Sequence, residues 1–243
     1  MSDLDLTFIG TGNAFAPGGL CWNGFVVNSR YLFEAPPQAL MSLNRMGIDP
    51  NDIEAVILSH HHGDHMLGLP FLILHWKYRG RTRPVRIIGP PETEVVARLI
   101  AERTYPGLFD LPFEIQWVTA RPGDIVDVDA LQLAPVEVQH DEKLILSLGY
   151  ACTLDRRQFG YTGDTQMCEA VLDLARHSEV LVTECSSKRQ RIPTHMNLVD
   201  DMPVVRAAMA PEATLILTHI DAGVEATGLA NTFVAADYAS YRL

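Results

Sequence analysis

The chain has 243 residues, of which 47% are hydrophobic and 20% are charged, so it is long enough to bury a substantial core. Its formal net charge of −11 argues against a surface built throughout to hold nucleic acid, which needs a clustered basic face. No apolar stretch reaches the roughly 18 residues of a membrane span, the N-terminus carries no basic leader segment, and the four scattered cysteines form no C-x-x-C pair. We therefore expect a cytoplasmic protein with reduced cysteines and no membrane partner.

Short apolar runs rich in β-branched residues recur between turn signals, and each of them predicts a β-strand. In chain order these runs cover residues 4–9, 24–27, 31–33, 55–58, 85–88, 114–118, 131–138, 146–153, 180–183 and 214–218. Helical spacing of apolar residues predicts one helix that ends at Gly47 and a second over residues 92–105. Further helices are expected after Asp64, Asp164 and His195.

The order of these elements predicts the architecture. Strands come first, mixed elements follow and strands return, which indicates an α/β protein of two packed sheets with helices outside rather than one doubly wound sheet. The Pro/Gly clusters are each too short to separate domains and are typical of turns. We therefore expect one domain over residues 1–243.

The most informative segment, residues 59–65, has the sequence Ser-His-His-His-Gly-Asp-His and joins an apolar strand to an apolar helical run. Imidazole and carboxylate groups are ligands of zinc and related divalent metals, so His60, His62, Asp64 and His65 are candidate ligands. Residues two apart in extended backbone share a side, so His60 and His62 can chelate one ion. The alternative is an adventitious polyhistidine tract, but a tag would lie at a terminus and would lack the Asp.

Residues 59–65 resemble the metal-binding loop of metallo-β-lactamase-fold hydrolases, and His140, Asp164 and His219 follow at later strand ends in the order of that family. Taken singly, each of these three residues is also compatible with a capped or solvated polar group. The resemblance implies an αββα metallo-β-lactamase sandwich, with two mixed β-sheets flanked by helices and a site for two divalent cations at one edge. It assigns His60, His62 and His140 to one cation, Asp64, His65 and His219 to the other, and Asp164 to both. Zinc is the expected metal, with manganese, nickel and iron as alternatives.

Glu184 and the later segment Pro193-Thr194-His195 resemble the ribonuclease Z-like phosphodiesterases, in which a Glu-assisted His protonates the leaving group. The glycine loop of residues 8–15 resembles the same subgroup. The resemblance implies Asp64, Glu184 and His195 as catalytic residues. The alternative for His195 is that it caps a helix beginning near Asn197.

Positive charge is concentrated in residues 77–83 and 188–191, and two basic loops near a metal centre would suit phosphate recognition. Ordinary solvated surface charge is the alternative. The sequence departs from ribonuclease Z because only 23 residues separate His140 from Asp164, too few for a long tRNA-binding arm. It is also similar to the cyclic phosphodiesterase of phosphonate degradation, without that family's cysteine-rich zinc site. Glu34 stands where relatives often have an Asp behind the metal ligands.

The sequence therefore predicts hydrolysis of a phosphodiester in a small molecule or nucleotide, with a metal-activated hydroxide as nucleophile and His195 as general acid. A thioesterase or lactonase of the same fold is an alternative, as is a ribonuclease Z-type endonuclease without the arm. A redox di-iron protein and a non-catalytic binding protein are further alternatives. Nucleic acid is a less favoured partner than a small phosphorylated substrate. A homodimer is expected from the resemblance alone.

Overall fold

The computed structural model describes residues 4–225 and 228–243; Met1 to Asp3, on which part of the leader prediction depends, lie outside the described residues. These residues form fourteen strands: β1 Asp5–Gly10, β2 Gly24–Val27, β3 Tyr31–Phe33, β4 Ala55–Ile57, β5 Val85–Gly89, β6 Ile115–Thr119, β7 Val126–Val128, β8 Leu131–Glu137, β9 Leu148–Leu154, β10 Arg157–Tyr161, β11 Val180–Glu184, β12 Thr214–Thr218, β13 Thr232–Val234 and β14 Ser240–Arg242. Six α-helices accompany them in the described residues: α1 Ala39–Met46, α2 Gly63–Met66, α3 Leu69–Tyr78, α4 Thr93–Thr104, α5 Glu169–His177 and α6 Met202–Ala208.

The strands form two mixed seven-stranded sheets. The first has the order β14-β1-β2-β3-β4-β5-β6, and the second has the order β13-β12-β11-β10-β9-β8-β7. Within the first sheet, β3 to β6 are parallel and the remaining pairs are antiparallel. Within the second, β10 to β13 are parallel and β7 to β10 are antiparallel. This arrangement confirms the predicted pair of mixed sheets flanked by helices.

Alternating side chains on the central strands explain the four layers. On β2, Phe25 and Val27 join the core between the sheets, whereas Val26 packs in the cluster that α1, α3 and α4 share with the first sheet. A third cluster packs α5 and α6 against the outer face of the second sheet. Because side chains of a strand point alternately to opposite faces, a central strand of this fold must be apolar throughout.

The ten predicted strands are all present, and the helix ends at Gly47, whose φ of 71° is the left-handed conformation that glycine accepts most readily. The sequence missed β7, β13 and β14, each of three residues at an edge of its sheet. Edge strands are short and half exposed, so they carry little apolar pattern. Strand β10 was expected only as the lead into Asp164.

No helix in the described part of the chain is long and apolar enough to cross a membrane. The four cysteines, Cys21, Cys152, Cys168 and Cys185, are all unpaired.

Candidate metal centre

The loops after β4, β8, β10 and β12 meet at one edge of the two sheets. The β4 loop belongs to the first sheet and the other three belong to the second. The Leu148 N–H donates to the Ser59 carbonyl at 3.0 Å, and the Tyr150 hydroxyl donates to the Leu58 carbonyl at 2.7 Å. These two bonds connect the histidine loop of one sheet to β9 of the other, so the donors from both sheets face a common centre.

A glycine allows the closest approach of two of these loops. Gly163 precedes Asp164 and has a φ of 58°, and a Cβ at this position would lie 2.8 Å from the Cβ of Ser59. A larger residue would therefore strain the backbone and also push the Asp164 loop away from the histidine loop.

The structure brings all seven sequence-predicted ligands together. They form two groups in which the donor atoms lie within 4.8 Å of one another: His60, His62 and His140 in one, and Asp64, His65, Asp164 and His219 in the other. The carboxylate of Asp164 lies between the groups. Its Oδ2 is 3.1 Å from Nε2 of His219 and 3.3 Å from Nε2 of His65, and it is 4.0 Å from the Nε2 atoms of both His60 and His140.

Several buried polar atoms of this cluster have no hydrogen-bond partner among the described residues. They are Nε2 of His60, Nε2 of His65 and Oδ1 of Asp164. An unsatisfied buried polar group costs about 1–3 kcal/mol, so a fold that gathers several at one point requires a compensating partner. Lone pairs of imidazole and carboxylate converging within coordination range fit divalent metal ions.

Nδ1 of four of the five imidazoles faces a polar group outside the donor cluster. Nδ1 of His60 lies 2.8 Å from the Ser59 hydroxyl, and Nδ1 of His140 lies 3.0 Å from the Thr194 carbonyl. A carbonyl only accepts, so Nδ1 of His140 carries the proton and its Nε2 presents a lone pair to the cluster. Nδ1 of His65 faces Glu34 Oε1 at 3.5 Å, and Nδ1 of His219 faces the Ser186 hydroxyl at 2.9 Å. Such partners orient metal-binding histidines and set their tautomers.

Glu34 is the most deeply buried of these partners, with no exposed surface. Its Oε1 accepts a hydrogen bond from the Tyr161 hydroxyl at 3.0 Å, and both of its oxygens lie 3.3 Å from the Ser59 N–H. Asn23 donates to Tyr161 at 3.0 Å and accepts from Thr218 at 2.6 Å, directly before His219. The network joins the histidine loop to the strand that presents His219.

Burial and neighbouring charge determine the ionisation of the cluster. Burial lowers the pKa of His60 well below its usual range and also lowers the pKa of His140, which favours neutral imidazoles with a free lone pair. Burial alone would raise the pKa of Asp164, but His219 and His65 hold that pKa well below its ordinary value. Asp164 is therefore an anion among imidazoles.

His195 and Glu184 form a pair at the side of the cluster. Nδ1 of His195 lies 2.8 Å from Glu184 Oε1, and the His195 ring stacks on His219 with centroids 5.4 Å apart. Burial alone would lower the pKa of His195, but the Glu184 carboxylate outweighs it and raises the pKa to about 9. The helix after His195 begins at Met202 and its N-cap is Asp201, so His195 is not its cap. The capping alternative is therefore wrong.

Sequence reasoning missed three polar residues, two beside this pair and one beside the donor cluster. The Ser186 hydroxyl donates to Glu184 Oε2 at 2.8 Å, and the Thr165 N–H donates to Glu184 Oε1 at 2.7 Å. Asp141 faces Nε2 of His62 at 3.5 Å. Thr165 directly follows Asp164, Asp141 directly follows His140, and Ser186 lies two residues after Glu184. Their nearness in sequence to these candidate residues was the one signal that could have identified them.

The two basic loops have different locations. Arg81 is 3% exposed and donates to the carbonyls of Arg83, Asn51 and Pro84 at 2.8–3.0 Å. This loop precedes β5, whose start pairs with the start of β4, whereas the histidines follow the end of β4. The expectation that residues 77–83 lie beside the histidine cluster is therefore wrong, because they lie at the opposite end of the strands.

Residues 188–191 lie on the segment that joins Ser187 to His195. Lys188, Arg189 and Arg191 are exposed, and the chain returns from them to His195 within a few residues. Arg191 forms an ion pair with Asp200 at 3.2 Å. A cleft of about 510 Å³ borders His140, and its lining includes the acidic residues Glu137, Asp141 and Glu142.

Comparison with known proteins connects this geometry to a family. A profile described as the beta-lactamase superfamily domain matches residues 29–220. The chain is 25% identical to a ribonuclease Z of Methanosarcina acetivorans, over 89% of this chain and 87% of that protein. It is 32% identical to an uncharacterized protein of Mycobacterium leprae, over 79% of this chain and 71% of that protein.

Solved structures show the same fold. A metallo-beta-lactamase fold protein of Bacillus subtilis aligns with a TM-score of 0.80 and 18% identity over 100% of both chains. The human short-form tRNase Z aligns with a TM-score of 0.77 and 19% identity over 98% of both chains. A diphosphatase from the PhnP family aligns with a TM-score of 0.77 and 18% identity over 99% of this chain and 98% of its own.

Proposed function

This chain belongs to the beta-lactamase superfamily, and from that premise we propose that it is a two-metal hydrolase that cleaves a phosphodiester in a small molecule or nucleotide. The observation that carries the proposal is the His195–Glu184 pair, at 2.8 Å, directly beside the seven-residue donor cluster. A thioesterase needs the cluster but gains little from a half-buried proton donor of this kind, because a thiolate departs readily without a proton. The four cysteines are free thiols, which suits a reducing, cytoplasmic location.

The residues for the two cations follow from the two donor groups. His60, His62 and His140 would hold one ion, Asp64, His65 and His219 would hold the other, and Asp164 would contact both. When bound, a pair of divalent cations supplies Lewis acidity and makes a nucleophile from water near neutral pH. Zinc suits this nitrogen-rich set best, and manganese, nickel and iron also accept it.

His195, assisted by Glu184, would then protonate the leaving group. His195 holds a proton because Glu184 keeps its pKa near 9, and its ring lies against His219 and His140 at the edge of the cluster. A phosphodiester bound at the cluster would place its departing oxygen on the His195 side, where the imidazolium donates a proton. General acid assistance of this kind contributes about 10²–10⁴ in rate.

The charges near the centre favour a small anionic substrate. Lys188 and Arg189 are exposed cations on the segment that leads to His195, whereas Glu137 and Glu142 line the cleft that borders His140. We place a single phosphate on the side of these cations; a long polyanion that entered the cleft would meet its acidic lining. The 23 residues between His140 and Asp164 consist of a loop and the β9–β10 hairpin, so no arm extends from this position.

A ribonuclease Z-type endonuclease is the second candidate, and the names of the relatives favour it. The ribonuclease Z of Methanosarcina acetivorans aligns over most of both chains, and the human tRNase Z shares the fold. The diphosphatase from the PhnP family shares it equally well and supports the small-substrate proposal.

A substrate panel tests the proposal. The zinc- or manganese-loaded protein would be assayed with bis(p-nitrophenyl) phosphate, a dinucleotide, a tRNA precursor with a 3′ extension, p-nitrophenyl acetate and a thioester. We expect turnover of the two small diesters and little cleavage of the tRNA precursor. Cleavage of the precursor without small-diester turnover would support the endonuclease, and ester or thioester turnover without any diester turnover would overturn both candidates.

A further inference from the structure

Ser186 lies at the meeting point of the donor cluster and the His195–Glu184 pair. Its side chain is buried, with 2% exposure, and it lies two residues after the end of β11. The hydroxyl oxygen lies 2.8 Å from Glu184 Oε2, 2.9 Å from His219 Nδ1, 3.1 Å from His195 Nδ1 and 3.2 Å from the His219 carbonyl. No other serine hydroxyl of the described residues contacts both imidazoles.

The hydrogen-bond count at His219 leaves one arrangement that suits metal binding. Nε2 of His219 faces Asp164 at 3.1 Å and Asp64 at 3.4 Å, so it must present a lone pair if a cation lies among them. A neutral imidazole then carries its proton on Nδ1, and that N–H donates to the Ser186 oxygen.

The Ser186 hydroxyl donates its single proton to Glu184. Glu184 Oε2 is its strongest acceptor, because a carboxylate accepts more strongly than a carbonyl and because the distance of 2.8 Å is shorter than the 3.2 Å to the His219 carbonyl. The hydroxyl thus accepts from His219 and donates to Glu184. The two lone pairs of the oxygen also allow a weaker contact from His195 Nδ1, whose main acceptor is Glu184 Oε1.

We propose that Ser186 is a positioning residue that fixes the metal-binding tautomer of His219 and, through the same hydroxyl, orients Glu184 toward His195. The inference rests on the proposed two-metal function and adds a physical connection between the metal ligand and the proton donor. Without the hydroxyl, the Nδ1–H of His219 would have no acceptor in a buried site, and the imidazole would lose the restraint on its tautomer. Ser186 is too deeply buried to be assigned a substrate contact.

The test measures zinc affinity and kinetics of the full chain. Ser186→Ala is expected to lower the zinc affinity of one of the two sites by about 10–100-fold, as measured by competition with a chromogenic chelator. At saturating zinc it should lower kcat on a small diester and leave KM close to that of the wild type. Ser186→Thr retains the hydroxyl and should restore both quantities. Ser178→Ala is the matched control, because its hydroxyl is also buried but bonds to the Leu174 carbonyl at the opposite end of β11.

Wild-type zinc affinity and wild-type kcat in Ser186→Ala would overturn the inference. If Ser186→Ala does not fold, Ser186→Cys replaces it, because a thiol of similar size is a weak acceptor. Equal zinc affinity in Ser186→Cys and Ser186→Thr would then overturn the inference. A wild-type protein that cleaves no diester would overturn the proposed function, whereas the zinc affinities would still decide the role of Ser186.

Discussion

Oε1 of Glu184 lies 2.8 Å from Nδ1 of His195, and the same oxygen accepts the backbone N–H of Thr165 at 2.7 Å. Thr165 directly follows Asp164, the carboxylate that lies between the two donor groups. One oxygen atom of Glu184 therefore holds both the proton donor and the backbone beside the shared metal ligand. A displacement of Glu184 is expected to disturb both.

Loss of His195 should depend on the leaving group. His195→Ala is expected to lower kcat by about 10²–10⁴-fold on a dinucleotide, whose alkoxide needs a proton. The loss should be much smaller on bis(p-nitrophenyl) phosphate, because p-nitrophenolate departs without one. Steady-state kinetics with both substrates at equal metal content provide the measurement. Unchanged turnover of the dinucleotide would show that His195 is not the acid.

Loss of the Glu184 charge should shift the pH profile. His195 donates only when protonated, so activity should fall as pH rises through its pKa, which Glu184 raises to about 9. Glu184→Gln removes the raising charge while burial still lowers the pKa, so the alkaline limb of kcat/KM should move to lower pH. Glu184→Asp keeps the charge and is the control. An alkaline limb at the same pH in Glu184→Gln and wild type would contradict the pairing.

Metal binding should stabilise the fold through Asp164. Zinc at about 100 times its dissociation constant should add about 2.7 kcal/mol of unfolding free energy, and a chelator should reverse the gain. Asp164→Asn removes the anion that lies within 4.0 Å of four imidazoles, so the stabilisation by zinc should largely disappear. Thermal unfolding with and without zinc measures both effects. Equal stabilisation of the variant would argue that Asp164 holds no metal.

The two basic loops should respond in opposite ways to charge removal. Arg81→Met breaks three buried bonds to carbonyls and should cost about 2–4 kcal/mol of stability without raising KM. Neutralising Lys188 and Arg189 together should raise KM for a phosphodiester and leave the unfolding temperature unchanged. Denaturant unfolding and kinetics distinguish the two results. A KM increase in Arg81→Met would contradict the location of this loop at the end of the strands away from the donor cluster.

Much of the fold could be predicted because buried strands carry a local signal. Residues 55–58 are apolar throughout since both faces of β4 are covered, and the polar run that follows marks the end of the strand. The three missed edge strands, β7, β13 and β14, carry no such signal. Pairing between β14 and β1 joins chain segments more than 200 residues apart, and no local pattern encodes it.

The candidate site was predictable where residue type alone identifies chemistry, as in the histidine loop and the strand-end residues His140, Asp164 and His219. The location of the basic loops was not, because charge in a sequence does not reveal which carbonyls will satisfy it. The sequence suggests that Arg81 is a free cation, but its side chain is buried and its guanidinium lies over the face of the Trp76 ring. Ser186 was missed because a serine near Glu184 matches no ligand motif, and its role depends on imidazoles that the fold brings together from two different loops.

The proposed function requires that strand-end loops of two sheets gather five imidazoles and two carboxylates around two adjacent cations. An anomalous difference map from a zinc-loaded crystal, collected at the zinc edge, would locate those cations. We expect two peaks roughly 3.5–4 Å apart, one among His60, His62 and His140 and the other among Asp64, His65 and His219, with Asp164 reaching both. A single peak, or two peaks away from Asp164, would show that the seven residues do not form a two-metal site.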